Sequence, residues 1–208
     1  NNMERTTGLV HYYYGDGKGK TTASLGLALR AAGANKRAVV VQFLKGSPYS
    51  EIKSLEKLGI EAVEIGCGGY PGKAHCDPKV LLADDKALAE WCDTLKRHNL
   101  EVCALSVHGN PVHPDKAIAK SYHDDFVNAV LLAEKIGVDT VITFSGCPGG
   151  SPADKTPNWA TCAWPDDFLS VLDYQWNEVL IPYWKEAVAF ANAHGLYRIA
   201  LELHPGFC

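Results

Sequence analysis

Apolar residues fall along this chain in two alternating rhythms. Short β-rich runs cover residues 9–14, 38–44, 62–66, 102–107, 140–145 and 198–203. Between them lie longer stretches with helical spacing, at 20–32, 49–58, 84–99, 117–136 and 168–194. The last is expected to break near Pro182, because proline removes a helix donor and clashes with the preceding turn. Three helices run into a glycine just before the next strand, in "EKLGIEAVEI", "AEKIGVDTVITF" and "NAHGLYRIALEL". Glycine tolerates the left-handed conformation that closes a helix. Strands alternating with helices predict βαβ units and a mostly parallel sheet of six strands. One long Pro/Gly-rich loop, "GCPGGSPADKTPNWATCAWP" at 146–165, follows the fifth run. A loop of that length at a strand's C-terminal end is a candidate binding loop, with a passive surface loop as the alternative.

Composition changes this picture little. The chain has 208 residues, 47% hydrophobic and 21% charged, with a net charge of −4. That balance suits a globular domain with a buried core and argues against a nucleic-acid or membrane-surface binder. No apolar run approaches a membrane span, and no secretory leader pattern is visible. The seven cysteines, at 67, 76, 92, 103, 147, 162 and 208, are odd in number, widely spaced and lack a CxxC pair. They read as free thiols of a reducing cytoplasm.

The candidate chemistry begins at "YGDGKGKTT". Gly15, Gly17 and Gly19 let successive N–H groups turn toward one point, which makes a concave anion site. The N-terminus of the helix that starts near Lys20 adds partial positive charge, and Lys20 adds a full one. Thr21 or Thr22 can offer a hydroxyl to a phosphate-bound Mg²⁺. A strand precedes the loop and a helix follows it, as a phosphate loop requires. Where the usual pattern has its first glycine, this chain has Tyr14.

Residues 4 to 58, including "GLVHYYYGDGKGKTTASLGLALRAAGANKRAVVVQFLKG", resemble the N-terminal βαβ unit of ATP:corrinoid adenosyltransferases. The shortened loop of that family falls on Gly15, Asp16, Gly17, Lys18, Gly19, Lys20, Thr21 and Thr22. The resemblance implies binding of ATP or phosphate, with Mg²⁺ accompanying the nucleotide. No counterpart is visible downstream for that family's acidic Mg²⁺ site or its corrinoid-holding residues.

From about residue 55 the chain resembles a second family, the sugar phosphate isomerase/epimerase group with a xylose-isomerase-like (βα)8 barrel. The stretches that carry this are "LGIEAVEIGCGGYPGKAHCDP", "LSVHGNPVHPD", "AEKIGVDTVITFSGCPG" and "IPYWKEAVAFANAHGLYRIALELHPGF". The resemblance points to the strand ends, namely Glu64, Gly66 to Tyr70, His108, Asn110, Ser145, Glu202 and His204. It also implies that Glu202, in "ALELHP", is the first ligand of a divalent metal. The family's other ligands come from three further strands. The chain stops at Cys208, so Glu202 is expected to be an orphan ligand. His75, His108 and His113 are candidate polar lining, and a lone histidine at a strand end is more commonly structural.

Together these readings predict one chimeric α/β domain, with a phosphate-loop fragment at 4–58 and a barrel-derived fragment at 59–208. The seam falls in a helix that both architectures possess, which suggests an engineered fusion. The expected fold is an open, doubly wound, three-layer sheet, with an incomplete TIM-like barrel as the alternative. The expected function is nucleotide or phosphate binding without turnover. Corrinoid adenosyl transfer and sugar phosphate isomerisation or epimerisation are the alternatives. Open sheet edges would favour a homodimer.

Overall fold

The computed structural model describes residues 62–204, together with Leu27, Arg30 and Ala31, which are helical, as expected for 20–32. The expected strands at 9–14 and 38–44, the helix at 49–58 and the phosphate loop Gly15–Thr22 lie outside the described residues.

The described chain alternates strands and helices: β1 (Ala62–Gly66), α1 (Pro78–Ala83), α2 (Asp85–Arg97), β2 (Glu101–Ser106), α3 (Lys116–Ile136) and β3 (Thr140–Thr143) come first. They are followed by α4 (Asp167–Asp173), a π-helical stretch (Tyr174–Leu180), α5 (Ile181–Ala193) and β4 (Arg198–Leu201). Local sequence accounts for the ends of α3. The Asp115 carboxylate accepts hydrogen bonds from the N–H groups of Ala117 and Ile118, at 2.8 and 3.2 Å. Those donors would otherwise be orphaned at a helix start. Gly137 closes the helix at φ +76°. Helix α1 was not anticipated, although Asp77 caps it and Pro78 opens it, a combination suited to a first turn. The break expected at Pro182 takes another form. The helical backbone continues through Leu180 and Ile181, and the helix widens into the π stretch in the turn before Pro182, where a proline ring crowds an ordinary α turn.

Four strands, not six, form the sheet among the described residues, all parallel and in the order β1-β2-β3-β4. Among the described residues this order lacks the reversal that the doubly wound expectation requires. In a doubly wound sheet the strand order reverses and helices cover both faces. Here each strand is laid beside the one before it, always in the same direction. With right-handed crossovers such winding places every connecting helix on one face, which is the winding of the barrel alternative.

Side-chain alternation agrees. Ile65, Cys67, Leu105, Val107, Val141 and Ile199 point into a core shared with Phe126, Ala129, Val130 and Ala133 of α3 and Ala187 and Ala191 of α5. With a period of two along a strand, the other face receives Glu64, Ala104, Ser106, His108, Ile142, Phe144, Ala200 and Glu202. One irregularity sets the register. Val63 pairs with Val102, but Glu64 pairs with Ala104, so Cys103 is an extra residue in β2. Beyond that bulge Glu64 and Gly66 lie beside Ala104 and Ser106.

Candidate functional site

Three of the polar residues expected at strand ends converge on the face away from the helices. Glu64 lies in β1, His108 two residues past β2, and Glu202 immediately after β4. The Nε2 of His108 lies 2.8 Å from Oε2 of Glu202, with the imidazole fully buried. Glu202, expected as an isolated ligand, therefore has a partner, and His108 is not a lone histidine.

The backbone carries these groups there directly. The ladder continues past the formal strand ends, with Val107 N–H donating to Ile142 O and Glu202 N–H donating to Thr143 O, each at 2.9 Å. A residue two positions beyond β2 and one position beyond β4 thus remains in register on the same face.

Burial sets the electrostatics. Glu64 is pushed up to about 7, chiefly because its surroundings hydrate a carboxylate poorly. The Ser106 hydroxyl acts in the opposite sense, and the charge of Glu202 adds to the rise. His108 is pushed down to about 4 by burial and by the neighbouring His204. Burial also raises Glu202. Both shifts in the His108–Glu202 pair favour the uncharged form of each group. The result is a Glu64 carboxyl that titrates near neutrality, close to a carboxyl and an imidazole that burial discourages from charging.

An aromatic wall borders the cluster. Phe144 contacts His108 and His204 at ring-centroid distances of 4.5 and 5.1 Å. Tyr70 lies 5.3 Å from Tyr122 and 6.2 Å from Phe144. The segment Gly66–Tyr70 is fastened across the end of β2, where Tyr70 N–H donates to His108 O at 2.7 Å. Gly69, at φ +63°, passes so close that a Cβ would lie 1.8 Å from that carbonyl oxygen, and only glycine fits. Asp125 of α3 holds the same segment, accepting from Gly69 N–H at 3.0 Å and from Lys73 Nζ at 2.6 Å.

Other expected site residues have structural work. Asn110 forms a two-bond clasp with the backbone of Cys147, at 2.8 and 3.0 Å. The Ser145 carbonyl accepts from Trp184 Nε1. His75 is exposed and His113 accepts from Asp115 N–H through Nδ1, so neither belongs to the cluster. Ser106 and Phe144 were missed. Their signal was the strand alternation itself, which puts Ser106 in phase with His108 and Phe144, rather than Ser145, on the site face.

Among the described residues no group of three or more His, Cys, Asp and Glu side chains is placed to hold a metal ion. Glu202 and His108 supply, among the described residues, two donors that face each other, fewer than the metal centre implied by the barrel resemblance. Among the described residues no helix is long and apolar enough to cross a membrane.

Comparisons with known proteins match the two-part reading. Residues 6–106 match the family model of the ATP:corrinoid adenosyltransferases BtuR/CobO/CobP, a stretch that contains the phosphate loop and runs on through β2. The corrinoid adenosyltransferase of Escherichia coli (strain K12) is 49% identical over 62 residues, 29% of this chain and 32% of that protein. The uncharacterized protein YfiH of Bacillus subtilis (strain 168) is 38% identical over 170 residues, 80% of this chain. The match spans 54% of YfiH, so this chain corresponds to about half the length of that relative. Among solved structures, a D-tagatose 3-epimerase-like protein aligns with a TM-score of 0.47 and 21% identity, covering 80% of this chain and 52% of the other.

Proposed function

We propose that the segment from residue 62 onward acts on a small polyhydroxylated carbonyl compound, moving a proton to and from a carbon beside the carbonyl. This is isomerase or epimerase chemistry, in keeping with the sugar phosphate isomerase/epimerase group that the segment resembles. The observation that carries the reading is the convergence of Glu64 with the His108–Glu202 contact on one face, at the C-terminal ends of parallel strands, where such folds keep their sites.

The proton traffic follows from the groups present. A base with a pKa near the working pH is the most effective proton acceptor, and Glu64 sits there. Its carboxylate takes the proton from carbon while the Glu202 carboxyl, paired with His108, gives one to the carbonyl oxygen. The product is an enediol. Returning the proton from Glu64 to the neighbouring carbon, while the Glu202 carboxylate takes back a proton from the hydroxyl of the carbon first deprotonated, gives the isomer and restores both groups. Phe144 and Tyr70 shield one side from water, which strengthens these charge interactions.

The test is proton NMR of D-fructose, D-tagatose and their phosphates incubated with the protein in heavy water. Wild type is expected to exchange the proton beside the carbonyl, and Glu64→Gln to slow that exchange by about 100-fold or more. Wild-type protein that leaves every such proton in place on all of these sugars ends the reading.

A second reading concerns the other segment, in which Gly15–Thr22 binds the phosphates of ATP, with Mg²⁺, and transfers nothing. Its support is the family match, which includes the entire loop, and the physics of a glycine-rich anion cradle. Calorimetric titration with ATP and Mg²⁺ is expected to show saturable heat for wild type and at least about tenfold weaker binding for Lys20→Ala, a charge-assisted contact being lost. Equal binding by the two proteins removes Lys20 from the site, and no heat from either removes the reading.

A further inference from the structure

The 146–165 loop lines a cavity to which Glu64, His108 and Glu202 do not contribute. It has a volume of about 350 Å³, the lower end of the range for ligand pockets and enough for one sugar ring. Gly150, Asp154, Asn158, Trp159, Thr161 and Phe168 are among its lining residues. An aromatic face beside a carboxylate, an amide and a hydroxyl is the chemistry that recognises a ring with an apolar face and hydroxyls at its edge.

The cavity is held in shape from below. Gln175, in the π-helical stretch, is completely buried. Its Nε2 donates to Gly149 O and Asn158 O, and its Oε1 accepts from Ala160 N–H. One side chain therefore ties together both chain segments that form the walls. The wider turn of the π helix places this residue there, and such turns recur at functional sites. Behind the cavity, Trp176 backs Trp159 with centroids 5.7 Å apart and planes inclined by 31°, which fixes the indole before any ligand arrives.

The wall also carries a charge. Asp154 accepts from Gly150 N–H at 2.7 Å and from Ser151 Oγ at 2.9 Å. These bonds, the backbone one first, pull its carboxyl below the usual range. A fixed carboxylate can still accept from sugar hydroxyls through its remaining lone pairs, and it repels a phosphate ester.

We infer that the cavity formed by the 146–165 loop and α4 is a subsite for an unphosphorylated sugar ring, stacked on Trp159 and selected against phosphate esters by Asp154. Its ligand class rests on the sugar reading above, but its occupancy does not depend on catalysis by Glu64.

The experiment titrates ¹⁵N-labelled full-length protein with D-fructose and with D-fructose 6-phosphate, following the indole N–H resonance of Trp159, identified by its loss in Trp159→Phe. D-fructose is expected to move that resonance saturably, and the phosphate ester to bind at least about tenfold more weakly. Asp154→Asn is expected to narrow that gap. Thr161→Val, at an exposed position that leaves the fold alone, is expected to weaken D-fructose binding about threefold through the lost hydroxyl. Glu64→Gln is expected to leave the Trp159 shift unchanged, so a shift without proton exchange overturns only the acid–base reading. A Trp159 resonance that D-fructose does not move, or that the phosphate ester moves at equal or lower concentration, overturns the subsite.

Discussion

At the scale of single residues, Glu64 makes a stability prediction as well as a chemical one. Its ordinary pKa of 4.5 becomes about 7 in the folded protein. The native state then binds a proton more tightly than the unfolded chain, and this contribution to stability is complete below about pH 4.5 and lost as pH rises through 7. His108 acts in the opposite sense. Its fall from 6.5 to about 4 gives stability that is present above 6.5 and lost as pH drops through 4. In the wild type the two slopes oppose each other over their shared window and mask one another. Glutamine cannot titrate, so Glu64→Gln is expected to gain on the wild type as pH rises from 4 to 8. The shift corresponds to about 3 kcal/mol at most, at 1.36 kcal/mol per pKa unit. Urea midpoints of both proteins at several pH values measure it, and parallel profiles would show that Glu64 titrates as an ordinary carboxyl.

At the scale of elements, what could be read in advance was what local chemistry decides. Helix α3 was legible from its apolar spacing and from Gly137, because a stop acts within a turn of its own position, whereas its Asp115 cap was not read. Helix α1 was equally available, since Asp77 followed by Pro78 is a helix-opening pair, yet its six residues are too few for a periodic signal. The π stretch was read only as a break, because the pattern around Pro182 does not say whether a helix stops or widens. The site divides in the same way. Glu64, His108 and Glu202 were visible as strand-end residues through a family resemblance. Their contact was not, because it depends on which strands are neighbours and on the bulge at Cys103, and pairings between distant segments determine both. The same limit hid the winding of the sheet: the alternation of strand and helix is identical whether the next strand is added on the same side or on the opposite one. Only the assembled order β1-β2-β3-β4 decides it for the described strands.

At the scale of the whole molecule, one-way winding has a consequence for association. Among the described residues β4 ends the sheet and no described strand pairs with its outer side, the kind of edge that recruits another strand. Its neighbourhood is also apolar. Leu203 is 78% exposed and Leu201 46%, while Ile181 and Val188 of α5 are exposed as well. A four-residue edge alone is too small for a stable interface, which needs about 1,200 Å² or more in total. Apolar helix surface beside the edge supplies the kind of area that could extend it. Two copies related by a twofold axis would pair β4 with β4 in antiparallel fashion, the self-complementary arrangement that closes on itself rather than growing into a filament. The protein is therefore expected to sediment as a dimer. Leu203→Lys places a charge in the centre of that contact and is expected to shift the dissociation constant by about tenfold or more toward monomer. The exchange of a surface side chain that is already 78% exposed should leave the melting temperature of the monomer unchanged. Sedimentation equilibrium on both proteins over a range of concentrations separates the outcomes: a wild-type monomer, or a dimer indifferent to Leu203→Lys, means that this edge does not face a second copy.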